Sequence, residues 1–264
     1  MVRLLAVGRG PAIICIQVGR SMNQTTRRGH PDIRIRAVSA WTPERGKESL
    51  YLTLSATEKA ELARLAEIIE FRTAGSQILS QGQSASFLYL LADGVVESSH
   101  TLKGGDRQVL AFYWPGDLFG LAEKGIYVNS AEALTPCKVS RFPIRNLEQF
   151  LLENPNVQHS FFIKAVHDLR SAQRQLIVMG RFDIAKRLAS FLVDCSGHEH
   201  YFDPAAQVLT IPMTRYDIAD YLGTSAESVT RAFSLLGSKG MLHRLTARTL
   251  KLRTAELRTF VDIE

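Results

Sequence analysis

Glu227, Ser228, Thr230 and Arg231 fall within about one helical turn, a spacing that puts a carboxylate, two hydroxyls and a guanidinium on one outer face of a helix. These groups suit hydrogen bonding to the edges of bases. In a major groove Arg pairs with guanine, Glu accepts from the cytosine amino group and Thr meets a thymine methyl. Such a face needs a second helix to hold it, and the stretch from Met213 to Gly240 has the spacing of a helix-turn-helix. Ala219 is small enough to let two helices cross closely, and Gly223 stands where the chain must turn with a positive φ. Ile218, Leu222, Val229 and Ala232 supply the apolar contacts between the helices. An ordinary αα-hairpin in a helical core is the other reading. The polar face in register with the small and apolar positions favours a DNA reader.

Phosphate contacts require cations nearby. The net charge of +6 is a poor guide, because residues 1–48 hold nine Lys and Arg against three acids and so account for all of it. The local balance is more telling: residues 228–258 contain seven Lys and Arg, opposed by Glu256 alone. Arg215, Arg244, Arg248 and Lys251 are the candidate phosphate contacts, with Ser225 and Ser228 supporting them near the start of the second helix.

Other chemistry finds less support. The three cysteines, Cys15, Cys137 and Cys195, are odd in number and widely spaced, which excludes a disulfide framework and suits a reducing cytoplasm. Cys137 reads as a core residue in a strand; Cys195, near the helix-turn-helix, is the candidate redox thiol. His198 and His200 have no third metal ligand beside them, and Gly104-Gly105-Asp106 reads as a hairpin turn. No nucleophile, base and orienting group stand together, so no enzyme is expected. The apolar run Leu4–Val18 is interrupted by Arg9 and too short to span a bilayer, and Met22 offers a second start, with residues 1–21 an over-called reading frame.

A length of 264 residues suits two domains. Residues 1–48, rich in Arg, Gly and Pro and without periodicity, read as a basic, disordered extension. Ser55 and Glu58 form a capping box that starts a helix with Leu62, Leu65, Ala66 and Ile69 on one face. After Phe71 short β-prone runs separated by glycines continue to about Pro143, the pattern of a β-sandwich or jelly roll, giving a β-roll domain over 49–153. A helical period returns over 154–180. Phe162, Leu169 and Leu176 recur every seven residues, interleaved with Ala165, Ala172 and Met179, as in the seam of a two-stranded coiled coil. A homodimer through this helix suits a reader of palindromic double-stranded DNA. Arg181-Phe182 is the candidate hinge, and 181–264 the DNA-binding domain: a helix capped by Asp183, a strand at Val208–Ile211, the helix-turn-helix, a wing from Met241–Leu245 and Thr249–Leu252, and a last helix at Ala255–Val261.

The order of β-roll, long dimerisation helix and winged helix resembles the CRP/FNR family of bacterial transcription regulators, over about residues 50–255. The most specific segment is Thr214–Gly223 followed by Glu227-Ser228-Val229-Thr230-Arg231, similar to the family's Glu-x-x-Ser-Arg signature with Thr in place of Ser. Ala226, where cyclic-AMP receptor proteins carry Arg, is similar to the FNR and FixK branches. The resemblance implies an α+β fold and a TTGAT-type half-site. It gives Arg231 to guanine, Glu227 to cytosine and Thr230 to thymine, and implies contact with RNA polymerase during activation. Nucleotide-binding members use a Glu after Gly-Glu-Leu-x-Gly and an Arg before Ser-Ala; this chain has Leu121 and Asn129 there, so both charged partners are missing. The cysteines do not match the four thiolates of an iron–sulfur member. No cofactor is expected, which points to a FixK-like regulator acting without effector. The alternative is the same fold gated by a cyclic nucleotide, haem or cysteine oxidation, in the roll or near Cys195.

Overall fold

The computed structural model describes residues 24–27, 31–36 and 52–262. Its first helix, α1 (Ala56–Leu65), begins at the expected capping box: the Ser55 hydroxyl accepts the Glu58 amide at 3.2 Å and the Glu58 carboxylate accepts the Ser55 amide at 2.7 Å. The helix stops sooner than its apolar spacing suggested. Ala66 is extended, and Ile69 lies on a strand, β2 (Glu67–Phe71), where β-branched side chains pack between neighbours on both sides.

The roll is two antiparallel sheets. One has the order β1 (Gln24–Arg27), β2, β11 (Cys137–Pro143), β4 (Phe87–Asp93) and β7 (Leu118–Phe119). The other has β3 (Gln77–Leu79), β10 (Ser130–Ala133), β5 (Val96–Thr101) and β6 (Arg107–Tyr113), and β8 (Ala122–Glu123) with β9 (Ile126–Tyr127) forms a small hairpin. Gly94, at the β4–β5 turn, has φ +90, and a Cβ there would stand 2.5 Å from the Pro136 carbonyl oxygen, so only glycine fits. Ile69, Leu91, Val96, Phe119 and Val139 fill the space between the sheets.

The outer face of the five-stranded sheet is covered by α1 and by α2 (Ile144–Glu153), a helix the sequence reading passed over. Chain from the expected disordered extension covers it too. Ile33 and Ile35, each 1% exposed, enter the core with Leu62, Leu90, Phe142 and Phe150, while Asp32 and Arg34 stay outside. That alternation is the signature of a half-buried extended segment, and three or four residues were too few to reveal it. The extension reading is thereby corrected for 24–27 and 31–36; the rest of residues 1–48, with Cys15 and Met22, lies outside the described residues.

Pro155 opens α3 (Pro155–Arg181), which runs 27 residues until Phe182 turns extended at the expected hinge. Asp183 accepts the Lys186 amide at 2.9 Å and caps α4 (Ile184–Ser196). Then come β12 (Phe202–Asp203), β13 (Val208–Thr210), α5 (Arg215–Leu222), α6 (Ala226–Ser238), β14 (Leu242–Arg244), β15 (Thr249–Leu252) and α7 (Thr254–Val261). Their sheet runs β12-β13-β15-β14, with β14 and β15 as the wing hairpin. Leu188, Leu192, Leu209, Ile218, Val229, Leu236 and Leu250 form this domain's core.

The roll touches this domain directly. Phe112 of β6 packs on Phe191 of α4 (5.8 Å between ring centroids) and Tyr221 of α5 (5.1 Å). Arg107 pairs with the buried Glu97 and lies 3.5 Å from Asp220, whose carbonyl oxygen accepts from Gln108.

Candidate nucleic-acid interface

Local chemistry fixes the helix-turn-helix. Thr214 and Asp217 form a reciprocal cap at the start of α5, with the Thr214 amide donating to the Asp217 carboxylate at 2.7 Å. Gly223 ends the helix in the left-handed region, φ 62 and ψ 47. A Cβ on Gly223 would stand 2.8 Å from the Met179 methyl carbon, the movable end of a flexible side chain, so it is the positive φ that favours glycine here. Ile218, Ala219, Leu222, Val229 and Ala232 are all buried between the helices as expected.

Glu227, Thr230 and Arg231 are exposed on α6. Ser225 caps the helix, its hydroxyl accepting the Ser228 amide at 3.2 Å and donating to the Ser228 hydroxyl at 3.2 Å. The Arg231 guanidinium in turn donates to the Ser228 hydroxyl at 2.9 Å. Ser225 and Ser228 thus hold the Arg231 guanidinium in place on the exposed face of α6. The Glu227 carboxyl sits below the usual carboxylate range, chiefly through its own backbone amide and then the Ser225 hydroxyl. Thr230 donates its hydroxyl to the Ala226 carbonyl at 2.8 Å, leaving the methyl for apolar contact.

Arg215 is half-buried with its guanidinium 3.5 Å above the Phe233 ring. Burial first, and the Arg244 charge second, bring its pKa down to about 10. Arg244, Arg248 and Lys251 are exposed along the wing, and Arg244 donates to the Thr246 carbonyl at 3.1 Å. Cations that repel one another gain from a polyanion laid across them. Tyr216, 75% exposed on the first turn of α5, adds a phenolic donor beside Arg215 that the sequence reading missed.

Arg187 was also missed. From α4 its guanidinium donates to the carbonyl oxygens of Met179 (2.7 Å), Phe182 (2.9 Å) and Leu222 (3.1 Å). It thereby satisfies part-buried carbonyls at the ends of α3 and α5 with one charge and ties α3 to the helix-turn-helix. Nothing local in the sequence marks it, because Leu222 is 35 residues away.

Along α3, Phe162, Leu169 and Leu176 are exposed at 62%, 59% and 73%, with Ala165 and Ala172 also exposed. Ile163, Val166 and Ile177 widen this apolar stripe. Met179 is the exception to the expected seam: it is half-buried, with its methyl against the Gly223 turn.

Between the roll, α3 and α4 lies a cavity of about 500 Å³ whose lining includes Asp117, Lys164, Asp168 and Arg174. Burial raises the Asp117 carboxyl, with Lys164 and Arg36 opposing that shift. At the two positions where nucleotide-binding members of the family carry Glu and Arg stand Leu121, 68% exposed, and Asn129, 3.1 Å from the His100 ring nitrogen. The candidate redox thiol, Cys195, is 2% exposed, and burial, reinforced by Asp194, raises its pKa well above the usual thiol value. A buried thiol beside a carboxylate holds little thiolate. Cys137 is buried at the start of β11, and burial brings its thiol up to about 12. Among the described residues no three His, Cys, Asp or Glu side chains gather to hold a metal, and no helix is long and apolar enough to cross a membrane.

Residues 70–154 match the cyclic nucleotide-binding domain family and residues 186–259 the Crp-like helix-turn-helix domain family. The chain is 31% identical to the nitrogen fixation regulation protein FixK of Rhizobium meliloti over 182 residues, 69% of this chain and 81% of that one. It is 31% identical to the transcriptional activatory protein AadR of Rhodopseudomonas palustris over 190 residues, 69% and 76% of the two chains. Among solved structures, FixK2 from Bradyrhizobium japonicum superposes with a TM-score of 0.68 at 29% identity, covering 75% of this chain and 98% of that one.

Proposed function

Because the chain belongs to the CRP/FNR family of transcription regulators and is FixK-like within it, we propose that it works as a homodimer reading a TTGAT-type inverted repeat in double-stranded promoter DNA, without a bound effector. The observation that carries this reading is the exposed face of α6, where Ser225 and Ser228 hold Arg231 beside Glu227 and Thr230. Arg231 takes a guanine, Glu227 a cytosine amino group and Thr230 a thymine methyl. Arg215, Arg244, Arg248 and Lys251 contact phosphates on either side.

The exposed apolar stripe of α3 supports pairing with a second copy, since a row of Phe, Leu and Ile side chains gains by leaving water. Two reading heads one DNA turn apart then meet the two halves of a palindrome. The unsuitable positions Leu121 and Asn129 support independence from cyclic nucleotide. The DNA-bound dimer contacts RNA polymerase, as members of the family do.

Substituting Arg231→Ala tests the assignment. Affinity for the palindrome should fall by about 1–3 kcal/mol and discrimination should relax at one base pair, while binding to random DNA changes little. Equal losses on both duplexes would remove Arg231 from base reading.

A further inference from the structure

Arg36 lies far from the reading helix in sequence and in function, yet it is only 8% exposed and grips the DNA-binding domain. Its backbone amide donates to the Gly116 carbonyl of the roll at 2.7 Å. Its guanidinium donates to the Gly197 carbonyl at 2.7 Å and to the ring of His198, both in the turn that follows α4. The other face of this joint is aromatic. Trp114, in the loop after β6, stacks on His198 with ring centroids 4.3 Å apart and meets Tyr201 edge-on at 4.8 Å. Upstream, Ile33 and Ile35 are buried in the roll core, and the Leu52 amide bonds the Ile35 carbonyl at 2.8 Å. Residues 31–36 are thus anchored in one domain while their last side chain holds the other.

A second attachment lies elsewhere on the same domain, where Phe112, Arg107 and Gln108 of β6 meet Phe191, Tyr221 and Asp220. One attachment acts as a pivot; two fix an orientation. We propose that residues 31–36 are a strap, with Arg36, His198 and Trp114 as positioning residues that set the angle of the reading head against the roll and so the half-site spacing the dimer accepts. The spacing part rests on the DNA-reading function proposed above. The positional part does not. When both heads of a dimer are held at a fixed separation, engagement of the second half-site is nearly intramolecular; loosened heads lose that effective concentration. A single half-site is indifferent to it.

The test uses the full chain carrying Arg36→Gln, and separately His198→Asn, with spin labels at Leu102→Cys in the β5–β6 turn and Thr259→Cys on α7, both exposed. Labelled chains are diluted into unlabelled chains, so the distance measured lies within one chain. The strap predicts a narrow distance distribution in the parent and a broadened one in both variants. It also predicts about 10-fold weaker binding to the palindrome, flattened preference for a four-base spacer over three or five, and unchanged half-site affinity. Arg36→Lys, which keeps the charge and one hydrogen bond, should fall between. A distribution as narrow as the parent's in both variants overturns the strap, whatever the DNA affinities. Equal losses on half-site and palindrome overturn its role in spacing. A parent protein without palindrome preference would instead defeat the functional reading, with the distance measurement still deciding the strap.

Discussion

Replacing Arg187 by Met removes the clamp between α3 and the helix-turn-helix while retaining an unbranched apolar stem. Three carbonyls lose a charged donor now at 2.7, 2.9 and 3.1 Å. A net value near 1–1.5 kcal/mol for each bond would give about 3–4.5 kcal/mol if they were independent. They are not independent, since one guanidinium makes all three, and the half-buried site lets water recover part of the loss. The expected destabilisation is therefore about 2–3 kcal/mol, which for a chain of this size lowers Tm by roughly 5–10 °C. Urea denaturation followed by far-UV circular dichroism measures it, with Arg187→Lys as the control. A lysine ammonium cannot span three diverging carbonyls and should recover only about a third of the loss. A cost below about 0.5 kcal/mol for Arg187→Met would refute the reasoning, by showing that water serves these helix ends as well as the guanidinium does.

Gly223→Ala should cost about 1–2 kcal/mol by thermal denaturation, from left-handed strain and displacement of the Met179 methyl; a Met179→Ala partner should recover only the steric part. Leu169→Asp puts a charge in the middle of the exposed α3 stripe and should leave a folded monomer by sedimentation, with palindrome binding lost; an unchanged dimer would place the interface elsewhere. Stability should fall as pH drops from 7.5 to 5.5. Burial, then Arg36 and His200, hold His198 well below the usual histidine pKa, and burial followed by Lys164 lowers His167, so the unfolded chain takes up protons near pH 6.5 that the folded chain refuses. Asp117, raised by burial, acts in the opposite direction at lower pH, so the descent should flatten there. Thermal melts across this range check the sign, and a Tm that rises toward pH 5.5 would contradict the buried, neutral His198.

What was legible in the sequence was what neighbouring residues decide. The Ser55–Glu58 box, the Asp183 cap, the turn at Gly223 and the break at Phe182 all depend on partners within a few residues. The exposed trio Glu227, Thr230 and Arg231 follows from position on one short helix. Elements whose meaning comes from distant chain were hidden. Ile69 sat on a helical period but was claimed by strand pairing with β1 and β11. Helix α2 follows β11 without a break, and its cap position is Pro143, which offers no side-chain hydrogen bond, so no start signal preceded Leu147 and Phe150. Met179 kept the seven-residue spacing of the expected seam yet lies with its methyl against Gly223, because the end of α3 packs beside the α5 turn. Arg36 and Arg187 look like ordinary surface cations until the carbonyls of Gly197 and Leu222 are brought to them.

Selective DNA recognition without effector is the central claim, and fluorescence anisotropy tests it most directly. The untreated protein, in air and near-physiological salt, would be titrated onto a TTGAT–four-base–ATCAA duplex and onto a scrambled duplex of the same composition. The account predicts tight binding to the palindrome, on the order of a thousandfold stronger than to the scrambled duplex. Weak binding, or equal binding to both duplexes, would contradict it.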